Sequence, residues 1–211
     1  MMKSIELTNV SKSFGNKKVL NEFNLSIEPG KFYGITGPSG CGKSTLLNIL
    51  GGIEKPTSGE VKIFNHMNIN RNGVKLKKLL RYKISFLFQN YALSDNDTVE
   101  YNLKMAVVYN KEIKNKQVAI ATALEKVGLV GYEKNKVHQL SGGEQQRVAM
   151  ARLLLKPTEI IFADEPTGNL DVENREVVFN LLKDLNKMGK TVILVTHDPD
   201  LVARCDEIIR L

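Results

Sequence analysis

Cysteine is scarce in this chain of 211 residues: only Cys41 and Cys205 occur, at no spacing that suits a metal. In the absence of a secretory leader, no structural disulfide is expected of the pair. Long apolar runs are missing too. Runs such as Ile160 to Ala163 and Val192 to Val195 suit buried strands and are far too short to cross a bilayer. The opening residues, Met-Met-Lys-Ser-Ile-Glu, lack the apolar stretch of a secretory signal. A cytoplasmic, non-spanning protein is therefore expected. Internal repeats, low-complexity linkers and long heptad runs are also absent.

What is present is ordinary globular material, with 42% hydrophobic and 25% charged residues. That composition argues against disorder, and the length suits one well-packed domain. Thirty basic residues against 23 acidic ones give a net charge of +7, which invites nucleic-acid or anionic-membrane readings. Most of the surplus is dispersed, with one local cluster at Lys75, Lys77, Lys78, Arg81 and Lys83. No aromatic residues interleave with it for base stacking. A solvated helix face is the preferred reading, a nucleotide-binding protein near an anionic leaflet the second.

Strand-like and helix-like patterns alternate. Ile5, Leu7 and Val10 open an extended segment that continues through Leu25 and Ile27 to Pro29 and Gly30. Phe32 to Thr36 is a compact apolar run, followed by a helical stretch with Leu46, Leu47, Ile49 and Leu50, closed by Gly51 and Gly52. Residues 61–64, 84–88, 160–163 and 191–195 read as strands, and 98–128 and 173–188 as helical. Short strands between helices predict an α/β fold with a parallel-sheet core and a β-rich N-terminal edge. The strand-free interval at about 95–155 predicts a helical lobe inserted into a single domain spanning 1–211.

Gly37, Pro38, Ser39, Gly40, Cys41, Gly42, Lys43, Ser44 and Thr45 fit G-x-x-x-x-G-K-[ST] at every position, after a predicted strand and before a predicted helix. The glycines let successive backbone N–H groups turn inward around a phosphate, and the helix start adds partial positive charge. Lys43 would reach the β- and γ-phosphates, and the Ser44 hydroxyl would coordinate Mg²⁺. A glycine-rich turn can match by chance; strand and helix in place speak against that. Alone, the motif does not separate a transporter ATPase from a GTPase or a small-molecule kinase. Cys41 fills a free position of the loop and has no paired base to make it a nucleophile.

Two further constellations narrow the choice. The apolar run 160–163 delivers Asp164 and Glu165 at its end. Neighbouring side chains there point different ways, so Asp164 would hold Mg²⁺ while Glu165 orients and polarises an attacking water. Leu140, Ser141, Gly142, Gly143, Glu144, Gln145, Gln146 and Arg147 precede a helical pattern. Ser-Gly-Gly opening a helix is a second anion-seeking end, with free N–H groups and no bulky side chain. One chain thus offers two such ends but one phosphate-binding lysine. The second end is expected to serve a nucleotide held by another copy.

The run Leu140 to Gln145 resembles the signature sequence of ABC (ATP-binding cassette) ATPases, and the companion motifs follow in the family's order. Gln89, ending the strand 84–88, resembles the Q-loop glutamine, which the resemblance implies senses Mg²⁺ and the membrane partner. Asn169, Leu170 and Asp171 resemble the D-loop, implied to cross to the opposite subunit's site. His197 resembles the switch histidine at the γ-phosphate; a lone His after a strand would otherwise be a loop residue. Phe14 aligns with the aromatic platform for adenine, where the family more often has Tyr. The resemblance covers essentially residues 3–211. Residues 164–171 are similar to the branch containing lipoprotein-release, macrolide-efflux, antimicrobial-peptide export and cell-division ATPases.

The resemblance implies an ATP- and Mg²⁺-dependent ATPase that closes as a head-to-tail homodimer. It would drive a separately encoded membrane permease from the inner face of the plasma membrane. Export of a peptide, lipid-linked or hydrophobic substrate fits the branch. The alternative is an ABC ATPase that transmits a signal through a membrane protein without transport. A soluble ABC protein of translation or DNA repair fits less well, because one cassette, no coiled coil and no zinc cysteines are present. No nucleic-acid partner is expected.

Overall fold

The computed structural model describes residues 3–69, 73–168 and 170–211. Two sheets organise it. Strands β1 (Ile5–Phe14), β2 (Lys17–Ile27), β4 (Ser58–Ile63) and β5 (His66–Met67) form an antiparallel sheet in the order β2-β1-β4-β5. Strands β3 (Phe32–Thr36), β6 (Ile84–Leu87), β7 (Ile160–Asp164), β8 (Thr191–Val195) and β9 (Glu207–Arg210) form a parallel sheet in the order β6-β7-β8-β3-β9.

The central strands of the parallel sheet are apolar at nearly every position because both of their faces are covered. Alternation splits them between two cores. Ile160, Phe162, Ile193 and Val195 face helix α1 (Lys43–Leu50) and the antiparallel sheet. Ile161, Ala163, Val192 and Leu194 face the helices of the opposite layer. Those include α3 (Val99–Val107), α4 (Lys116–Lys126), α5 (Gly142–Leu155) and α6 (Val172–Lys187). Helices α3, α4 and α5 pack on one another between β6 and β7 in the chain. Helix α2 (Gly73–Tyr82) precedes β6, and the short α7 (Pro199–Ala203) precedes β9.

Several boundaries differ from the sequence reading, three of them with a local cause or consequence. The helical stretch 98–128 is two helices, because Asn110 spends its side chain on Leu155 O (3.0 Å) and Asn115 caps α4 at Val118 N. Strand 61–64 runs instead over Ser58–Ile63, with Phe64 in a left-handed turn (φ 51°). Residue Phe88 falls outside β6, so Gln89 stands two residues beyond the strand.

The basic cluster lies on and just after α2, where Lys75, Lys77, Lys78 and Arg81 are exposed. Lys83 pairs with Glu159 at 2.8 Å. Among the described residues, no helix is long and apolar enough to cross a membrane.

Candidate nucleotide site

The glycine-rich loop leaves β3 and enters α1, so its backbone N–H groups collect at a helix start. Gly42 is the N-cap with φ 109°, and a Cβ there would lie 2.3 Å from Val19 Cγ1. Only glycine fits between the loop and β2 at this point. Lys43 is buried, and its Nζ donates to Gly37 O (3.0 Å) and Pro38 O (2.9 Å). The ammonium is thus held within the loop that it would complete.

Strand β7 lies next to β8, with β3 beyond it, so its carboxyl end meets the cradle. The Ser44 hydroxyl donates to Asp164 Oδ1 at 3.0 Å. Burial pushes the Asp164 carboxyl above the usual carboxylate range, and the negative charge of Glu165 adds to this; the Ser44 bond and Lys43 act the other way. A half-buried carboxylate beside a hydroxyl suits Mg²⁺, which takes few protein oxygens and keeps the rest of its shell for water and phosphate.

Glu165 sits in the left-handed region (φ 45°), a position that costs a side chain about 1–2 kcal/mol. Its N–H donates to Val195 O (3.0 Å) and its carbonyl accepts from Gly168 N (3.2 Å), which fixes the turn. The turn aims the carboxylate at His197 on the loop after β8, with Oε1 2.7 Å from Nε2. A cavity of about 360 Å³ is lined by Phe14, by Ser39, Gly40, Gly42 and Lys43 to Thr45 of the loop and helix start, and by Glu165 and His197. Phe14 is half exposed at the end of β1, and Lys12 Nζ lies 4.6 Å from its ring centroid. The cavity also holds Lys17 and Val19 of β2, which no motif marked.

Gln89 is exposed, and its Nε2 and Glu165 Oε2 would each lie 3.8 Å from a Cβ placed on Gly168. The Gln89 side chain therefore approaches the turn at Glu165. Cys41 also lies in the loop, 2.9 Å from where a Gly37 Cβ would stand.

The second helix end is elsewhere. Ser141 caps α5 in a capping box: its Oγ accepts from Glu144 N (3.3 Å), and Glu144 Oε2 accepts from Ser141 N (2.8 Å). Glu144 also accepts from Tyr132 OH, and its carboxyl is held below the usual range by the Ser141 and Tyr132 bonds. A chain of side-chain bonds joins this end to α6: Arg147 donates to Asn174 (2.8 Å), and Asn174 donates to Asp171 Oδ2 (2.8 Å). Asp171 in turn caps α6 at Asn174 N. Of the other D-loop residues, Asn169 lies outside the described residues. None of Ser141, Gly142, Gly143 or Asp171 lines the cavity around the cradle.

A larger groove of about 480 Å³ opens on another face, over β6 and between α2, α3 and α5. Its floor is apolar, from Leu80, Phe86, Phe88 and Met105. Sequence reasoning missed it, because its walls come from segments far apart in the chain, such as Ile53, Lys77 and Arg152.

Comparison with known proteins agrees with this geometry. The family model described as "ABC transporter" matches residues 20–168. The chain is 39% identical over 210 residues to the ABC transporter ATP-binding protein YvrO of Bacillus subtilis, covering 97% of this chain and 92% of that one. It is 40% identical to the macrolide export ATP-binding/permease protein MacB of Mannheimia succiniciproducens, covering all of this chain but 33% of that protein. It thus spans about a third of the length of such fused relatives. A solved dimeric ATP-binding cassette, in a post-hydrolysis state with ADP and Pi, superposes with a TM-score of 0.88 at 39% identity, covering 98% of this chain and 94% of the other.

Proposed function

This chain belongs to the ABC transporter family as one of its ATPases, and from that premise we propose that two copies close head to tail on two ATP molecules to drive a membrane permease. The observation that carries the reading is the separation of the two anion-seeking helix ends: one sits on the cavity with Lys43 and Glu165, the other, at Ser141, does not. A second copy supplies the missing half, and the dimeric solved relative supports this.

In each composite site, Gly37, Ser39, Gly40, Cys41 and Gly42 turn their N–H groups to the phosphates, and Lys43 neutralises the β- and γ-oxygens. Phe14, half exposed at the end of β1, stacks on adenine. Ser44, Asp164 and Gln89 would hold Mg²⁺, which would supply charge neutralisation at the phosphates, while Thr45 helps bind the phosphates. Glu165 takes the proton of the attacking water, and His197 holds the carboxylate in place and faces the γ-phosphate. Ser141, Gly142, Gly143 and Asp171 of one copy complete the site of the other.

The apolar groove over β6 receives the permease, with Gln89 between that groove and the ATP site. The cassette therefore works at the inner face of the membrane, attached through its partner. Relatives named as export proteins support an export direction and a peptide, lipid-linked or hydrophobic cargo. Glu165→Gln tests the catalytic assignment: it keeps shape and loses basicity. It should bind Mg-ATP and elute as a persistent dimer, with turnover lowered by about 10²–10⁴-fold. Near-normal turnover would remove Glu165 from the role.

A further inference from the structure

Helix α2 carries charge of one sign in a pattern that the ATP site leaves unused. At about 100° per residue, Lys77, Arg81, Val74, Lys78, Tyr82 and Lys75 follow one another around an arc of about 160°. All six are exposed, while Leu76, Leu79 and Leu80 fall on the opposite arc and pack on the core shared with the antiparallel sheet. The helix holds no Asp or Glu. Lys75 and Lys78 stand three residues apart and Lys77 and Arg81 four, spacings at which like charges repel and weaken a helix. Lys83, just past the helix, pairs with Glu159 at 2.8 Å, and Arg81 lies over the Tyr109 ring, 5.5 Å from its centroid. Among the described residues, no carboxylate pairs with Lys77, Lys78 or Arg81. Val74, 81% exposed, sits between the cations in mid-arc, and exposed Tyr82 stands near one edge.

A cavity of about 370 Å³ opens beside this arc, lined by His66 of β5 and by Lys75, Lys78, Leu79, Tyr82 and Lys83, again without an Asp or Glu. A solvated helix face interleaves the two signs of charge; this one does not, and its repulsions are relieved only by an anion. Nucleic acid fits it poorly. Stacking platforms need several free aromatic faces, whereas Tyr82 is the one ring on the arc and packs edge-on against Tyr109, with centroids 5.8 Å apart. Cations flanking an exposed valine, with a tyrosine beside them, match the headgroup layer of a bilayer, where charged heads meet phosphate and apolar parts reach the layer below.

We propose that the outer face of α2 and the cavity beside it bind the anionic phospholipid surface of a membrane directly. Lys75 and Lys78 reach a headgroup phosphate over the cavity, Lys77 and Arg81 meet neighbouring headgroups, and Val74 and Tyr82 enter the interfacial layer. This goes beyond the function proposed above, in which the cassette is attached through its partner: the cassette itself holds lipid, without permease or nucleotide. Each cation close to an anionic surface multiplies partitioning about fivefold, so four of them give roughly a hundredfold or more. A helix of 10 residues buries little apolar area, so the contact is reversible and salt-sensitive, and it orients the cassette rather than anchoring it.

The test sediments the whole cassette with vesicles of phosphatidylcholine alone, or of phosphatidylcholine and phosphatidylglycerol in equal parts. In about 0.05 M salt, partitioning should be at least about tenfold higher on the phosphatidylglycerol vesicles, and about 0.5 M salt should abolish the difference. Lys75→Gln, Lys77→Gln, Lys78→Gln and Arg81→Gln together should lower it at least about tenfold. Lys114→Gln, Lys116→Gln, Lys126→Gln and Lys134→Gln, exposed on and around α4, remove the same charge and should lower it less than about threefold. The chain has no tryptophan, so Val74→Trp places a lone reporter in the face. Its emission should shift to the blue on phosphatidylglycerol vesicles and be quenched by brominated acyl chains. Equal losses in the two fourfold variants reduce the binding to net charge and overturn the inference, as does an unshifted emission. The reporter alone decides if the α2 variant does not fold. Polyuridylate binding that needs the α2 cations, without vesicle binding, overturns the inference in favour of nucleic acid. Mg-ATP-dependent dimerisation of the same samples separates the two claims. Its survival without vesicle binding sinks only the lipid contact, and its loss alongside vesicle binding sinks only the ATP-site reading.

Discussion

Glu165 combines the side chain proposed to activate water with a backbone that its side chain resists, and that conflict can be measured. At φ 45° a Cβ crowds the chain, whereas glycine does not feel the contact. The strain on an L-residue is about 1–2 kcal/mol. Glycine returns about 0.5–1 kcal/mol of that through its greater freedom in the unfolded chain. Glu165→Gly should therefore be more stable than Glu165→Ala by about 0.5–1 kcal/mol, since both lose the His197 contact equally. For a chain of this size, that is a rise of about 1–4 °C in Tm. Thermal unfolding without nucleotide, followed by circular dichroism, reads the difference. Ala121→Gly, on the exposed face of α4, sets the opposite sign: it should be less stable than the parent by about 1 kcal/mol. If Glu165→Gly falls below Glu165→Ala by a similar amount, the turn is unstrained and the reasoning fails. Neither Glu165 variant should hydrolyse ATP, so the gain in stability would come with complete loss of function.

Two other substitutions bear on the cradle and the groove. Gly42→Ala places a methyl 2.3 Å from Val19 Cγ1 at φ 109°, and should cost about 1–3 kcal/mol of stability and most of the ATP affinity. Adding Val19→Ala should restore part of that loss, read by denaturant unfolding and nucleotide titration, because the clash goes and the backbone strain stays. Lys156 has a folded pKa of about 8, against about 10.5 unfolded. Below pH 8 both states carry the proton and the penalty is constant. Between about pH 8 and 10.5 the unfolded chain binds more protons, so stability should rise with pH by about 1–3 kcal/mol. Lys156→Met should remove that rise, and a pH series of unfolding midpoints that stays unchanged in the variant would refute the assignment.

Much of this fold was legible because burial writes itself into the chain. Strands β7 and β8 are apolar on both faces, and only a covered parallel sheet asks for that. The glycine-rich loop, Asp164 with Glu165, and Ser141 to Gly143 were equally plain as patterns, since each lies in one short stretch of the chain. What stayed hidden depends on distant partners. The break at 108–115 is decided by Asn110 reaching Leu155, and the contact of Glu165 with His197 joins the ends of neighbouring strands. The left-handed turn at Glu165 has no sequence signal, because glutamate is not a residue that seeks it. The partners of Arg152 and Lys156 likewise come from distant segments, the Tyr91–Ala92 turn and β6.

The central claim is that the helix end at Ser141 in one copy completes the ATP site of another, and complementation measures it most directly. Lys43→Ala disables the cradle and Ser141→Arg fills the other end with a bulky cation, so each variant alone should be inactive. Mixed dimers hold one whole site, made from the intact cradle of the Ser141→Arg chain and the intact helix end of the Lys43→Ala chain. With random pairing, half the dimers are mixed and half their sites are whole, so ATP hydrolysis should recover to at most about one quarter of the parent rate. No recovery above the separate variants, with mixed dimers shown to form by differently tagged copies and no trapped nucleotide in a Glu165→Gln background, would contradict the account.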